Sequence, residues 1–189
     1  MTKSDLRNVV LAKQRSLSAA ERFSKSQAIA DRFFETIDLD AIKLLHCFIP
    51  IDRFNEVDTL LIFHRIWKDF PLIQTVVPCI QFDTGSMENV RFSSKTDLVE
   101  NKWGIREPDI TEPVASDKID LVLVPLLCFD SDGHRVGYGK GFYDRFLIRC
   151  RPDCLKIGLS YFQPVERIED AGEHDMKLNL CVTPERIFG

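Results

Sequence analysis

Residues 130 to 147 read DSDGHRVGYGKGFYDRFL, with Gly137, Gly139 and Gly141 at every second position and Lys140 between the last two. Glycines at this spacing let a backbone turn tightly and aim successive N–H groups inward, and the missing Cβ atoms let an anion come close. Arg135 and Lys140 add formal positive charge. Together these are the parts of a phosphate cradle. Generic motifs fit only in part: Gly141 follows Lys140 where a Walker A loop has Ser or Thr, and the third glycine comes one residue early for GxGxxG. Tyr138, Phe142 and Tyr143 interleave the loop and offer aromatic faces to a base or a pterin.

Other residues with chemical potential have plainer readings beside the functional one. Asp144 falls in the first turn of the helix expected after the loop, where an acid complements the dipole; next to bound phosphates it could hold Mg²⁺. Asp130-Ser131-Asp132-Gly133 lacks the twelfth-position Glu of a calcium loop and reads as a turn. His174-Asp175 lies in a polar loop, and Glu56, in NEVDT, reads first as a helix N-terminal acid and second as a ligand residue. The six cysteines form no CxxC pair, and several sit in apolar runs such as LLHCFIP and VPLLCF, as buried reduced thiols would.

The elements that must position these groups are legible from periodicity. Leu6, Val9, Val10 and Leu17 recur at helical spacing, and a second helix starts at Ser18, which makes a capping-box pattern with Glu21. Phe23, Ala30, Phe33, Phe34 and Ile37 form its apolar stripe. LLHCFIP reads as a strand ended by Pro50, Val57 to Lys68 as a buried helix, Ile73 to Val77 and Met87 to Phe92 as strands. Turns are expected at Trp103-Gly104 and Glu107-Pro108. IDLVLVP, residues 119 to 125, has the continuous apolar character of a strand buried on both faces. A helix from about Gly141 to Cys150 and a strand over Leu155 to Leu159 follow.

This alternation predicts a single three-layer α/β/α domain over residues 1–189 with a mainly parallel sheet. Ligands of such sheets bind beyond the strand C-termini, which points to the loop after IDLVLVP. A formal net charge of −4 argues against a nucleic-acid binder, and no run approaches the roughly 20 apolar residues of a membrane span, so a cytoplasmic protein is expected.

KSDLR, EVDT, REP, LVLVP and GHRVGYGKGFYD stand in this order along the chain. In that set the chain resembles the 5-formyltetrahydrofolate cyclo-ligase family over nearly its whole length. The resemblance implies ATP- and Mg²⁺-dependent cyclisation of 5-formyltetrahydrofolate to 5,10-methenyltetrahydrofolate, through a phosphorylated formyl intermediate; a monomer is expected, though the sequence itself leaves the oligomeric state open. It implies that Lys3 and Arg7 meet the nucleotide together with Arg135, Val136, Gly137, Tyr138, Gly139, Lys140, Gly141, Phe142 and Tyr143. Lys140, Arg135 and Tyr143 are its catalytic candidates, and Asp144 and Asp175 its Mg²⁺ ligands. Folate is expected beside Ile51, Glu56 and the Tyr138 to Phe142 side of the loop, namely Tyr138, Gly139, Lys140, Gly141 and Phe142. Two residues depart from the family pattern, Val136 for Leu and Phe142 for Tyr, and the second removes a hydroxyl. Another ATP-using or sugar-phosphate enzyme, or a non-catalytic nucleotide- or folate-binding regulator, are the alternatives.

Overall fold

Ser18 starts a helix by the route its spacing to Glu21 predicts. The Glu21 N–H donates to Ser18 Oγ at 3.2 Å and the Ser18 N–H to Glu21 Oε2 at 2.8 Å, so two otherwise orphaned donors are satisfied reciprocally. A computed structural model describes residues 1–81, 84–101, 104–109 and 112–189. In chain order its elements are helices α1 (Lys3–Arg15) and α2 (Ala19–Thr36), strand β1 (Leu44–His46), helix α3 (Leu60–Asp69), and strands β2 (Gln74–Gln81), β3 (Ser86–Phe92), β4 (Leu98–Glu100), β5 (Arg106–Pro108), β6 (Pro113–Val114), β7 (Leu121–Pro125), β8 (Cys128–Phe129) and β9 (Arg135–Val136). Helix α4 (Phe142–Leu147) and strands β10 (Leu155–Leu159), β11 (Leu180–Val182) and β12 (Ile187–Phe188) complete it.

Eight strands form one sheet in the order β12-β11-β10-β7-β1-β2-β3-β6. The run from β11 to β2 is parallel, and β12, β3 and β6 join antiparallel at the flanks. The apolar run of β7 is buried on both faces, with Leu121, Val122, Leu123 and Val124 each 0% exposed. Side chains alternate across a strand, so Leu121 and Leu123 join Ile29, Phe33, Phe63 and Ile66 of α2 and α3 on one face. Val122 and Val124 join Phe146 and Leu147 of α4 on the other. The result is the three-layer α/β arrangement that the alternation predicts, with a mainly parallel sheet.

Several boundaries differ from the sequence reading, for reasons of packing. Phe23 is 60% exposed and Val9 57%, because each lies on a helical face that has no neighbour there; the buried stripe of α2 is Ser26, Ile29, Ala30 and Phe33. The strand in LLHCFIP is three residues long. Cys47 to Pro50 stay buried but leave the ladder after Cys47 N–H donates to Val76 O. Helix α3 begins at Leu60 rather than Val57, and α4 ends at Leu147, since Arg149 and Cys150 take tighter bonds three residues back. Glu107-Pro108 lies within β5 rather than at a turn. Gly104 does turn, at φ +70°, while Trp103 lies outside the described residues. The six cysteines are free thiols, all buried except the half-buried Cys79.

The contrast between two phenylalanines of α2 is measurable. Phe33→Ala should cost about 3–5 kcal/mol by emptying a core site, whereas Phe23→Ala should stay within about 0.5 kcal/mol of the parent. Urea-unfolding midpoints at constant slope check both.

Candidate active site

The loop from Gly137 to Gly141 leaves β9 at the C-terminal end of the parallel strands and runs into α4. Gly139 (φ +90°) and Gly141 (φ +65°) occupy the left-handed region, which strains any residue with a Cβ. Crowding adds to the requirement, since a Cβ on Gly139 would sit 3.1 Å from Arg7 Nε. Gly137 is different: its φ is ordinary and a Cβ there would meet nothing within 4 Å. None of the five N–H groups from Gly137 to Gly141 donates to a partner among the described residues. Arg7 Nε donates to Gly137 O at 3.0 Å. In a trans peptide that bond turns the Tyr138 N–H the opposite way, toward the open side of the loop.

Helix α1 braces the loop. Its Leu6 and Val10 pack against Leu127, Cys128 and Val136 of the β8–β9 hairpin, burial worth about 1.5–3 kcal/mol per side chain. The hairpin's corner is the Asp130 to Gly133 tetrad, a turn as expected: the buried Asp130 carboxylate accepts from the N–H groups of Asp132, His134 and Ile168. Asp132 and His134 lie beside it, and their carboxylate and imidazole belong to this corner.

Arg135 is 7% exposed, and its guanidinium is committed: one nitrogen donates to Asp144 Oδ1 at 2.6 Å and another to Met176 O. Asp175, next in line, accepts from Lys3 Nζ and from the Gly172 N–H at 2.6 Å. Burial pushes the Asp175 carboxyl up, but the bonds from Lys3 and Gly172 outweigh it and hold the group below the usual carboxylate range. Lys3 and Arg135 are thereby paired. Arg7 and Lys140 have no carboxylate partner among the described residues, so a chain of negative net charge presents local positive charge at the glycine loop.

Beside the loop, Gln14, Phe48, Glu56, Val57, Pro125, Leu126, Tyr138 and Leu159 line a narrow pocket that their own side chains fill, leaving no room for a water molecule. Glu56 is not the helix N-terminal acid its position suggests; Asp58 fills that role by accepting from the Leu60 N–H at 3.1 Å. The Glu56 carboxylate instead turns inward, 7% exposed, and accepts from the Ile51 N–H at 2.7 Å. Burial raises its pKa to about 7, against the lowering effect of the Ile51 N–H and the Tyr138 hydroxyl. Tyr138 stacks on Phe54 with centroids 4.7 Å apart. Phe142 lies under the Arg145 guanidinium. Tyr143 turns inward, edge-on to His46 and Phe146, so its ring is a packing element rather than a stacking platform.

The sequence reading passed over Gln14. Its Nε2 donates to Phe54 O at 2.7 Å and to Tyr138 Oη at 3.3 Å, joining the Ile51 to Glu56 segment to the loop. A polar residue at the i+4 step of the buried Leu6–Val10 stripe is the signal that marks it. His46, polar inside an apolar run, is a second such signal. The expected residues therefore form two adjoining groups: Lys3, Arg7, Arg135, Asp144 and Asp175 around the loop, and Ile51, Glu56 and Tyr138 around the pocket.

A sequence model of the 5-formyltetrahydrofolate cyclo-ligase family matches residues 1–184. The chain is 30% identical to a 5-formyltetrahydrofolate cyclo-ligase of Mus musculus, over 94% of its own length and 91% of that protein's. It is 31% identical to one from Mycoplasma genitalium, over 95% and 97% of the two chains. The NMR structure of Aquifex aeolicus 5,10-methenyltetrahydrofolate synthetase aligns with a TM-score of 0.82 at 30% identity, covering 100% of this chain and 92% of that one.

The buried Glu56 carboxyl has a consequence for stability. Between pH 4.5 and about 7 the folded protein keeps a proton that the unfolded chain has lost, so this group's contribution to stability falls as pH rises through that window. Glu56→Gln keeps an acceptor for Ile51 but cannot titrate. Its urea midpoint should vary less from about pH 5 to 8 than the parent's; equal slopes would refute the assignment.

Proposed function

The chain belongs to the 5-formyltetrahydrofolate cyclo-ligase family, and we propose that it closes 5-formyltetrahydrofolate to 5,10-methenyltetrahydrofolate while splitting ATP to ADP and phosphate. The observation that carries this reading is the set of five unpartnered N–H groups from Gly137 to Gly141, next to Arg7 and Lys140 and adjoining the Glu56 pocket. Consecutive amides with two cations are suited to a polyphosphate, and the Ile51 to Glu56 segment, tied to the loop through Gln14, borders the place a second ligand would take.

The N5-formyl group is an amide-like, weak electrophile whose oxygen leaves poorly as hydroxide. In the proposed reaction the formyl oxygen attacks the γ-phosphorus of ATP; an O–P bond forms as the bond to ADP breaks. N10 then adds to the activated carbon and loses its proton, and phosphate departs with the former formyl oxygen to leave the methenyl bridge. No covalent bond to the protein is needed. The protein positions the two ligands and stabilises the charge on the transferring group. Loop amides, Lys140 and Arg7 face the phosphates, with Lys3 at the rim. Arg135 acts at one remove, holding Asp144 and the segment around Asp175, and Val136, buried against α1, offers only its backbone. Ile51, Glu56 and the Tyr138 to Phe142 side of the loop take the folate.

Asp144 and Asp175 are the residues that would hold Mg²⁺. Asp144 Oδ2 and Asp175 Oδ1 have no partner among the described residues, and hard carboxylate oxygens suit that ion. When bound, Mg²⁺ supplies neutralisation of the charge that builds on the phosphate oxygens.

The assay is incubation with 5-formyltetrahydrofolate, ATP and Mg²⁺, with the methenyl product read by its absorbance; leaving out ATP or Mg²⁺ should abolish it. Lys140→Ala should lower turnover about 100-fold without changing the urea midpoint, since Lys140 is exposed and makes no hydrogen bond or ion pair among the described residues. Near-normal turnover in that variant sinks the charge role.

A further inference from the structure

His46, at the end of β1, is 0% exposed, with its ring centroid 4.7 Å from that of Phe146. Both of its nitrogens are engaged: Nδ1 lies 2.9 Å from Asn89 Oδ1 and Nε2 lies 3.2 Å from Tyr143 Oη. Counting protons settles the direction of each bond. The amide nitrogen of Asn89, itself 2% exposed, donates to Ser116 Oγ at 3.1 Å and to Val114 O at 3.4 Å on its far side. The atom it turns to His46 is therefore its oxygen, which can only accept. The imidazole proton then resides on Nδ1. Burial pushes the pKa of the ring down to about 3, so it is neutral and carries one proton. Nε2 is left as an acceptor, and the Tyr143 hydroxyl donates to it.

We propose that His46 is a positioning residue for Tyr143: as the neutral Nδ1–H tautomer it receives the Tyr143 hydroxyl proton and fixes the phenol at the junction of the glycine loop and α4. The inference rests on the reading of that loop as the nucleotide site. Its chemical content is a restriction. With the proton committed inward, the phenol oxygen has only lone pairs to offer a ligand, so Tyr143 accepts hydrogen bonds and cannot protonate a leaving group. The anchor reaches β3 through Asn89 and the 113–116 segment through Val114 and Ser116, so the orientation of one loop side chain is referred to three parts of the sheet region.

Two measurements test this. In the intact protein labelled with ¹⁵N-histidine, long-range ¹H–¹⁵N correlation reads the tautomer of His46 directly. Nδ1 should carry the proton, and Tyr143→Phe should move the Nε2 resonance toward that of an unbonded imine nitrogen. A protonated Nε2, or no response to Tyr143→Phe, overturns the bond. In kinetics, a Gln amide reaches the place of Nε2 and an Asn amide only that of Nδ1. His46→Asn should raise KM for ATP about 5-fold, as Tyr143→Phe does, while His46→Gln stays within about twofold and the Asn–Phe double variant is no worse than either. Equal impairment by Gln and Asn, or unaltered kinetics in Tyr143→Phe, overturns the positioning role. Absence of methenyl product from the parent protein would refute the proposed reaction instead, and the tautomer and its response to Tyr143→Phe would still decide this inference.

Discussion

One guanidinium holds the site's framework. Arg135 is a nearly buried cation, and such a charge is tolerated only when its donors are matched; here they go to Asp144 at the start of α4 and to the carbonyl of Met176. Three segments, β9, α4 just beyond the loop, and the more distant residues 172–178, are thereby brought to one point. The third of these places Asp175 against Lys3 and so reaches α1. Because side chains outside the loop do this tethering, the amides of Gly137 to Gly141 need not be spent on holding it in place, and they stay open to an anion.

The glycines divide the remaining work. Gly139 and Gly141 are demanded by conformation and by the crowding of Arg7 and Arg145, whereas nothing local demands Gly137. A residue free of local constraint at the mouth of the loop is best explained by the space a ligand would take, the same argument that alternating glycines suggest from sequence. The pocket side works differently. There Gln14 spans Phe54 and Tyr138, and Glu56 sits between a backbone donor and a phenol, so the two halves share side chains rather than abutting across a gap.

Much of the architecture was legible because β7, β10 and the capping box of α2 are local signals with strong physical causes. The glycine loop was legible for the same reason, and its family likeness added the folate. What was not legible depends on tertiary partners. Phe23 keeps helical phase but has nothing to pack on; Glu56 looks like a helix cap until the chain folds it inward. The two-residue strands β6, β8, β9 and β12 owe their existence to neighbours rather than to their own sequence. Arg135, read as a charge for phosphate, also pairs with Asp144 and bonds the carbonyl of Met176, partners that only the fold brings to it. His46 and Gln14 carried a signal, polarity on an apolar stripe, that gains meaning only once their partners are known.

Helix α1 has a consequence for how the molecule comes into being. Its contacts at the site are among the most distant in the chain: Lys3 to Asp175 spans 172 positions, Arg7 to Gly137 130, and Gln14 to Tyr138 124. Contacts of such separation are entropically late in folding. Helix α1 must therefore wait for partners more than a hundred positions further along the chain before it can dock. The helix that braces the glycine loop is thus a closing piece, and a chain cut short before residue 175 would have most of its sheet strands but no seat for Lys3.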